Sequence, residues 1–140
     1  MLFSRRERRI RRILIVEDEP LVAFDNEYML QDAGYEVVAT VDSFAAAAQA
    51  IESEEIDLVL TDISLAGEGD GVDVARAATR KGVAVLFVSG HCGAEAQGLA
   101  LGCLAKPYTE RVLLGALEAI DGHIKGRKAK RVPAQLTLYD

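Results

Sequence analysis

Five short apolar runs, separated by segments with helical signals, limit the folds open to this chain more than any other feature. The runs are mainly aliphatic and do not alternate with polar residues, as a strand does when one face of its sheet meets water. Continuous runs of this kind are typical of strands in a parallel sheet that is covered on both faces. The predicted strands are Ile13–Val16, Val37–Val41, Leu58–Thr61, Val83–Val88 and Cys103–Ala105.

Helix start and stop signals lie in the gaps between these runs. Pro20 stands at a first-turn position before LVAFDNEYMLQDA, and Gly34 follows as a stop signal. Asp42 or Ser43 can cap the segment FAAAAQAIE, and Thr109 can cap ERVLLGALEAI. These signals predict helices in three of the gaps.

Residues 71–81 and 94–101 fill the two other gaps, so the predicted order is five successive β–α units. This order is typical of a doubly wound α/β domain with a five-stranded parallel sheet. Four glycines crowd the region of residues 90–102, and a glycine inside a helix costs about 1 kcal/mol relative to alanine. We therefore expect the helix at 94–101 to be mobile or to have alternative states.

The chain has 140 residues, enough for one domain with a single sizeable core. Its charge is uneven, because residues 1–12 carry a net +5 and residues 125–140 a net +4 within a total of −6. We divide the chain into a basic N-terminal extension (1–12), an acidic body (13–122) and a basic C-terminal tail (123–140). The acidic body favours cation binding and argues against nucleic acid as a partner.

Cysteine usage and hydropathy indicate the compartment. Cys92 and Cys103 lack the spacing of a metal site, and we expect both to be reduced and buried. No apolar run approaches the length of a membrane-spanning helix, and the arginine pair near the N-terminus precedes an apolar run too short for an export signal. These features predict a cytoplasmic protein without a membrane partner.

Charged and polar residues follow four of the predicted strands. Glu17 and Asp18 follow the first strand, Asp62 the third, Ser89 the fourth and Lys106 the fifth. Ligands of open parallel sheets bind at the carboxyl ends of the strands, so we expect these groups to converge. Neighbouring carboxylates repel unless a cation neutralises them, and hard oxygen donors suit Mg²⁺ shared with a phosphate. The sequence thus predicts a magnesium site for phosphoryl chemistry.

Other interpretations of these residues fit less well. Asp62 to Asp73 partly matches a calcium-binding loop, but Ala66 stands at a ligand position and a strand precedes the loop. A serine hydrolase would need a glycine where Phe87 stands, two residues before Ser89. A phosphatase with an aspartate nucleophile also uses Asp, Lys and Mg²⁺, and it stays as an alternative although its Asp-x-Asp motif is absent. Solvated helix caps are the remaining explanation for the acids.

Four motifs resemble the receiver domains of two-component response regulators. They are ILIVEDEP, LVLTD, VLFVSG and LAKPY, and they stand in the family's order on the matching predicted strands. The resemblance extends from Ile13 to about Gly122. It implies a flavodoxin-like receiver fold and a protein that accepts a phosphoryl group from a sensor histidine kinase. Such a protein is not an enzyme in the usual sense, because it catalyses only its own phosphorylation and dephosphorylation.

The resemblance assigns the acids to particular roles. Asp62 would be the phosphoacceptor and form an aspartyl phosphate. Asp18 and Asp62 would ligate Mg²⁺ directly, with Glu17 acting through water and Ser64 through its backbone carbonyl. The first acid is Glu17 where aspartate is also frequent, and the loop after Asp62, ISLAGEGDG, is longer than usual and lacks the usual proline.

The resemblance also assigns the residues that would contact the phosphoryl group. Lys106 would pair with its oxygens, and Ser89 would hydrogen-bond one of them after transfer. The Lys106–Pro107 bond is expected to be cis. His91 would modulate the water that removes the phosphoryl group, and an exposed loop histidine without a role is the alternative. Cys103 stands where many receivers carry a Tyr or Phe switch, so we expect the glycine-rich segment to move instead.

The resemblance extends to partners. The sequence FVSGH loosely resembles the Phe-Ala-Thr-Gly-Tyr motif of a receiver subgroup, whose members look like partners of HWE-type histidine kinases. The signalling face would lie at about Ala94 to Asp121. The sequence after Gly122 is too short for a DNA-binding output domain, so we expect a single-domain regulator. It would bind a downstream protein target or form a homodimer on activation, and a phosphate sink that drains a shared kinase is the alternative.

Overall fold

Strands and helices alternate along most of the chain. The computed structural model describes residues 8–65, 67–93, 98–127 and 131–139. In chain order the elements are β1 (Arg12–Val16), α1 (Pro20–Asp32), β2 (Glu36–Val41), α2 (Phe44–Ser53), β3 (Leu58–Asp62), α3 (Gly71–Arg80), β4 (Ala84–Ser89), β5 (Gly102–Ala105), α4 (Glu110–Ile124) and β6 (Leu136–Leu138). Every predicted strand is present, with its ends shifted by at most one residue.

The sheet has the strand order β2-β1-β3-β4-β5-β6. The first five strands are parallel, which confirms the predicted doubly wound α/β architecture. The prediction of five strands was wrong by one, because β6 pairs with β5 in the antiparallel direction. Gly102 permits this pairing, since a Cβ on it would lie 2.6 Å from the carbonyl oxygen of Thr137. The tail therefore closes an edge that would otherwise be open.

The capping residues act as the sequence indicates. Ser43, rather than Asp42, is the N-cap of α2 and accepts a hydrogen bond from the N–H of Ala46. Thr109 caps α4 through the N–H of Val112, and Pro20 is the first residue of α1. Each cap satisfies a backbone N–H that the first helical turn leaves without an internal partner.

The helix predicted at residues 94–101 is not found in the part of it that the structure describes. Residues 98–101 form a turn and an isolated bridge at Ala100, and the N–H of Leu101 donates to the carbonyl of Val85 at 2.9 Å. Residues 94–97 lie outside the described residues. The reason is local, because Gly98 has a φ of +91°, which a right-handed helix does not allow.

The two faces of the sheet carry separate apolar clusters. Ile13 and Ile15 pack with residues of α1 and α4, whereas Leu14 and Val16 pack with residues of α2 and α3. Successive side chains of a strand point to opposite faces, so β1 contributes to both clusters. This arrangement explains the continuous apolar runs, because apolar clusters cover both faces of the sheet.

The expectation of two reduced cysteines was wrong, because Cys92 and Cys103 form a disulfide with a Cα–Cα distance of 5.8 Å. Cys92 follows β4 and Cys103 lies in β5, and adjacent strands bring the two within bridging distance although 11 residues separate them. The chain has no helix, in the parts described, with the length and hydropathy needed to cross a membrane.

Candidate functional site

Three carboxylates meet at the carboxyl edge of the sheet. Glu17 and Asp18 directly follow β1, and Asp62 is the last residue of the neighbouring β3. One carboxylate oxygen from each residue lies within 4.8 Å of the others. Glu17 is 2% exposed and Asp62 is 9% exposed, so this negative charge is largely withdrawn from water. The structure thus brings together the acids that the sequence predicted to converge.

Lys106 supplies the opposing charge. It follows β5, and its side chain extends past the end of β4 to reach the acids. Its Nζ donates to Oδ2 of Asp62 at 2.6 Å and to Oε1 of Glu17 at 3.1 Å. The Lys106–Pro107 peptide bond is cis, as expected.

The environment raises the pKa values of both Glu17 and Lys106, for different reasons. Burial raises the pKa of Glu17, while hydrogen bonds from the Glu19 N–H and from Lys106 lower it only in part. Burial lowers the pKa of Lys106, but its hydrogen bonds to Asp62 and Glu17 raise it by more, so the net pKa lies above the usual lysine value. The ammonium therefore stays charged at neutral pH, and its charge is fixed against the carboxylates.

The loop after β3 is tied to Asp62 through its backbone. The N–H of Ser64 donates to Oδ1 of Asp62 at 3.1 Å, and the N–H of Gly71 donates to the carbonyl of Ile63 at 2.8 Å. A Cβ at Gly71 would overlap the carbonyl oxygen of Asp62 and would lie 2.7 Å from the Cα of Ile63. Only glycine allows α3 to start this close to Asp62.

The importance of Gly71 was missed at the sequence level, where it marked only the start of a helix. A signal was present in the residues beside it, because Asp70 and Asp73 form a capping box at the start of α3. A capping box fixes where a helix begins. Here it places Gly71 at the first helical position, directly against the strand end that carries Asp62.

Ser89 ends β4 at the same sheet edge, where it is paired with Ala105 of β5. Its hydroxyl donates to the carbonyl of His91 at 2.9 Å and accepts from the N–H of His91 at 3.1 Å. Ser89 is thus held by its own loop, one residue before Gly90, rather than by the acids. His91 is exposed.

Cys103, which stands where many receivers carry an aromatic switch, is completely buried and bonded to Cys92. An aromatic group does lie close by in sequence, since Tyr108 follows the cis peptide bond. Its hydroxyl donates to Oδ1 of the buried Asn26 in α1 at 3.1 Å, and burial raises its pKa. Tyr108 therefore packs against α1 and fixes the loop that carries Lys106.

The acidic group fits a magnesium ion. Its donors are carboxylate oxygens, which Mg²⁺ prefers, and an adjoining cleft of about 360 Å³ is lined by Glu17 and Asp18. Burial disfavours the charge of Glu17, so a cation here would relieve a cost that Lys106 offsets only in part. The arrangement is able to hold a divalent ion beside Asp62 and Lys106.

A doubly wound sheet with three carboxylates and a lysine at its carboxyl edge defines a class of phosphoryl-accepting α/β domains. The chain belongs to the response regulator receiver domain family, which it matches over residues 13–118. Proteins of this family act in two-component signal transduction, bind Mg²⁺ at an acidic pocket and interact with histidine kinases and downstream effectors. They are in general signalling domains rather than enzymes.

Individual relatives agree with this assignment. The chain is 36% identical over 78 residues to the transcriptional regulatory protein PdtaR of Mycobacterium tuberculosis, a match that covers 56% of this chain and 38% of PdtaR. It is 32% identical over 114 residues to the sensory transduction protein RegX3 of Mycobacterium bovis, covering 77% of this chain and 49% of RegX3. The chain thus spans less than half the length of these curated relatives.

A solved structure shows the same fold. The crystal structure of a response regulator receiver protein from Sinorhizobium medicae is 31% identical, with a TM-score of 0.69. The match covers 79% of this chain and 94% of that one. The family membership explains why the four motifs of the sequence stand on the strands where the structure places them.

Proposed function

We propose that this protein is a response regulator that accepts a phosphoryl group on Asp62 from a sensor histidine kinase. The observation that supports this most is the pair of contacts from Lys106 Nζ to Asp62 and Glu17, at 2.6 and 3.1 Å, beside the carboxylate of Asp18. A nucleophilic carboxylate, a fixed ammonium and a group of hard oxygen donors are what phosphoryl transfer requires.

The metal ligands in this proposal are Asp18 and Asp62 directly, Glu17 through water and Ser64 through its backbone carbonyl. Support comes from the clustering of the three carboxylates within 4.8 Å and from the Ser64 N–H, which holds the loop against Asp62. Bound Mg²⁺ would neutralise the charge of the transferred phosphoryl oxygens. The carboxylates would hold the ion in a fixed position, since two adjacent strands set where they lie.

The transfer step follows from these positions. A carboxylate oxygen of Asp62 attacks the phosphorus of a phosphohistidine, an O–P bond forms, and the N–P bond breaks with its electron pair on the imidazole nitrogen. The Lys106 ammonium, which contacts Asp62 before transfer, then pairs with a phosphoryl oxygen. The Ser89 hydroxyl exchanges its His91 carbonyl acceptor for another phosphoryl oxygen, which makes the β4 loop sensitive to phosphorylation.

His91 is proposed to modulate the loss of the phosphoryl group. Its backbone is joined to Ser89 by two hydrogen bonds, and the residue is exposed. There it is able to orient the water that attacks the aspartyl phosphate. A changed rate of autodephosphorylation in His91→Ala would support this role, and an unchanged rate would contradict it.

For the output, we propose a cytoplasmic regulator whose switching face lies at about residues 94–121. In this proposal its kinase is of the HWE type, and its phosphorylated form binds a downstream protein target or a second copy of itself. Because Cys103 stands in place of the aromatic residue, we propose that the segment between β4 and β5 changes conformation on phosphorylation. A phosphate sink that drains a shared kinase is the second candidate, favoured if transfer and dephosphorylation are fast and no new complex forms.

Intact mass after incubation with acetyl phosphate and Mg²⁺ tests the proposal. One added phosphoryl group in the wild type, and none in Asp62→Asn, is the expected result. Asp57→Asn is not a suitable control, because Asp57 holds the backbone of Arg11 and Arg12. The exposed Asp25→Asn is the matched control and should be phosphorylated normally. An unmodified wild type would overturn the proposal, and turnover of a small phosphoester would favour the aspartate-nucleophile phosphatase instead.

A further inference from the structure

The chain contains two cysteines, and they are bonded to each other. Cys92 lies in the loop that follows β4, where it is half-buried, and Cys103 lies in β5, where it is 0% exposed. Nothing in the proposed phosphoryl chemistry uses either sulfur. The proposed phosphoryl transfer therefore gives no reason for the disulfide to be present.

The disulfide closes the segment that joins β4 to β5. The closed segment begins three residues after Ser89 and ends three residues before Lys106. Both residues proposed to contact the phosphoryl group thus flank it directly. A crosslink across this segment limits the motions available to it, because it joins a loop to a strand inside the sheet.

The C-terminal residues attach to the same segment. The N–H of Tyr139 donates to the carbonyl of Leu101 at 2.8 Å, and its hydroxyl donates to the carbonyl of Gly93 at 3.4 Å. Tyr139 also packs in one cluster with Cys92 and Cys103. Tyr139 thus contacts residues near both cysteines, and these hydrogen bonds, unlike the covalent bond, break without a chemical reaction.

We propose that Cys92 and Cys103 are a reversible thiol–disulfide site, and that its oxidation state controls how far the residues next to the bond, 92–93 and 98–103, move on phosphorylation. Disulfides of cytoplasmic proteins are in general transient and redox-sensing, which fits the compartment proposed above. The structure contains the bond itself, and its reversibility rests on the proposed compartment. The control of phosphorylation rests on the proposed function.

Reduction requires a dithiol reductant and starts at Cys92. A thiolate of the reductant attacks the sulfur of Cys92, because Cys103 is completely buried. The S–S bond breaks, its electron pair goes to the sulfur of Cys103, and that sulfur takes up a proton. The second thiol of the reductant then attacks the mixed disulfide, which releases Cys92 as a thiol. Two electrons and two protons reach the protein, and the reductant leaves as a disulfide.

The thiol site is tested by counting free thiols. Protein equilibrated with glutathione disulfide, then unfolded and treated with iodoacetamide, should gain no carbamidomethyl group by intact mass. Protein reduced with dithiothreitol in its folded state should gain two, and reoxidation should return the count to zero. Two labels after the oxidising treatment would overturn the site, and so would a disulfide that dithiothreitol reduces only after unfolding.

The control of the segment is tested by two measurements on the same samples. Hydrogen exchange in residues 92–93 and 98–103 should be faster in the reduced protein, and labelling of Asp62 by acetyl phosphate should differ between the two states by about fivefold or more. Cys92→Ser, which cannot form the bond, should match the reduced wild type in both measurements. Addition of the reductant should change neither its hydrogen exchange nor its labelling. Circular dichroism verifies that this variant folds.

The outcomes separate the two proposals. Equal exchange and equal labelling in the oxidised and reduced proteins would overturn the control of the segment. Absence of labelling in both states would count against Asp62 as phosphoacceptor. In that case the hydrogen-exchange comparison still decides whether the disulfide restrains the segment.

Discussion

The Nζ of Lys106 lies 2.6 Å from Oδ2 of Asp62, although 44 residues of chain separate them. The contact exists because β5 and β3 end at the same edge of the sheet with only β4 between them. Since Lys106 also binds the buried Glu17 at 3.1 Å, one ammonium connects the acids of two strands. The Lys106 ammonium therefore holds the carboxylates of Glu17 and Asp62 together.

Removal of this ammonium should slow phosphorylation without preventing folding. For Lys106→Ala we expect the rate of labelling by acetyl phosphate to fall by about 100-fold, because a preorganised donor to the transferred group is lost. Lys81→Ala is the matched control, since Lys81 forms an exposed ion pair with Glu52. Its labelling rate should equal that of the wild type. A Lys106→Ala rate close to wild type would contradict the role of Lys106.

Magnesium should stabilise the fold through the same acids. At a Mg²⁺ concentration about 100 times the dissociation constant, the free energy of unfolding should rise by about 2.7 kcal/mol. Asp18→Asn should lose most of this gain, because it removes a carboxylate of the cluster. Asp25→Asn, an exposed change on α1, should keep it. Urea unfolding with and without MgCl₂ measures the difference, and equal gains in both variants would exclude Asp18 as a ligand.

Gly71→Ala should damage both stability and the site. The added methyl group would overlap the carbonyl oxygen of Asp62, so we expect a loss of about 1–3 kcal/mol in the free energy of unfolding. Gly122→Ala is the matched control, because no atom beyond its chain neighbours and the nearby backbone of α4 lies within 4 Å of the added methyl group. That change should stabilise by about 0.5–1 kcal/mol. Urea titration of both variants measures the free energy of unfolding, and acetyl phosphate labelling measures the effect on the site. A Gly71→Ala variant as stable as the wild type would refute the packing argument.

Gly102→Ala should release β6 from the sheet. Its Cβ would lie 2.6 Å from the carbonyl oxygen of Thr137, so the two strands could no longer approach. Hydrogen exchange at residues 136–139 should accelerate to near the rate of an unstructured chain, while β1 and β3 stay protected. Gly122→Ala again serves as the control. Unchanged protection of residues 136–139 would show that β6 tolerates the extra methyl group.

Alkaline pH should weaken the fold through Tyr35. Burial raises the pKa of Tyr35 to about 12 in the folded protein, against 10.0 for the unperturbed group, and its ring lies 4.3 Å from the guanidinium of Arg8. The folded-state pKa is the higher one, so the stabilising contribution is complete below pH 10 and is lost as the pH rises towards 12. The free energy of unfolding should fall by up to about 1.4 kcal/mol per pH unit in that window. Tyr35→Phe should show a shallower fall, and identical slopes would contradict the shift.

Much of the fold follows from local sequence signals. The apolar runs of β1 and β3 predict buried parallel strands, and the rule that ligands bind at their carboxyl ends predicts the meeting of Glu17, Asp18 and Asp62. The N-caps Ser43 and Thr109 fix two helix starts. These features depend on residues close together in sequence or on a general property of parallel sheets.

The features that the sequence did not predict depend on contacts between distant segments. Strand β6 has only three residues, so its pattern is too short to identify, and its position requires Gly102 on β5. The Cys92–Cys103 bond requires β4 and β5 to be neighbours, which the spacing of the cysteines does not reveal. The close approach of Gly71 to Asp62 likewise becomes visible only once the loop after β3 is folded.

Strand β6 has a further consequence for how the protein behaves at high concentration. An exposed sheet edge offers unpaired backbone groups to other chains and promotes aggregation, and short edge strands reduce this hazard. With β6 in place, the sheet ends on that side in a strand of three residues, Leu136–Leu138, instead of the buried strand β5. The tail thereby shields the apolar strand that leads to Lys106 from association with neighbouring chains.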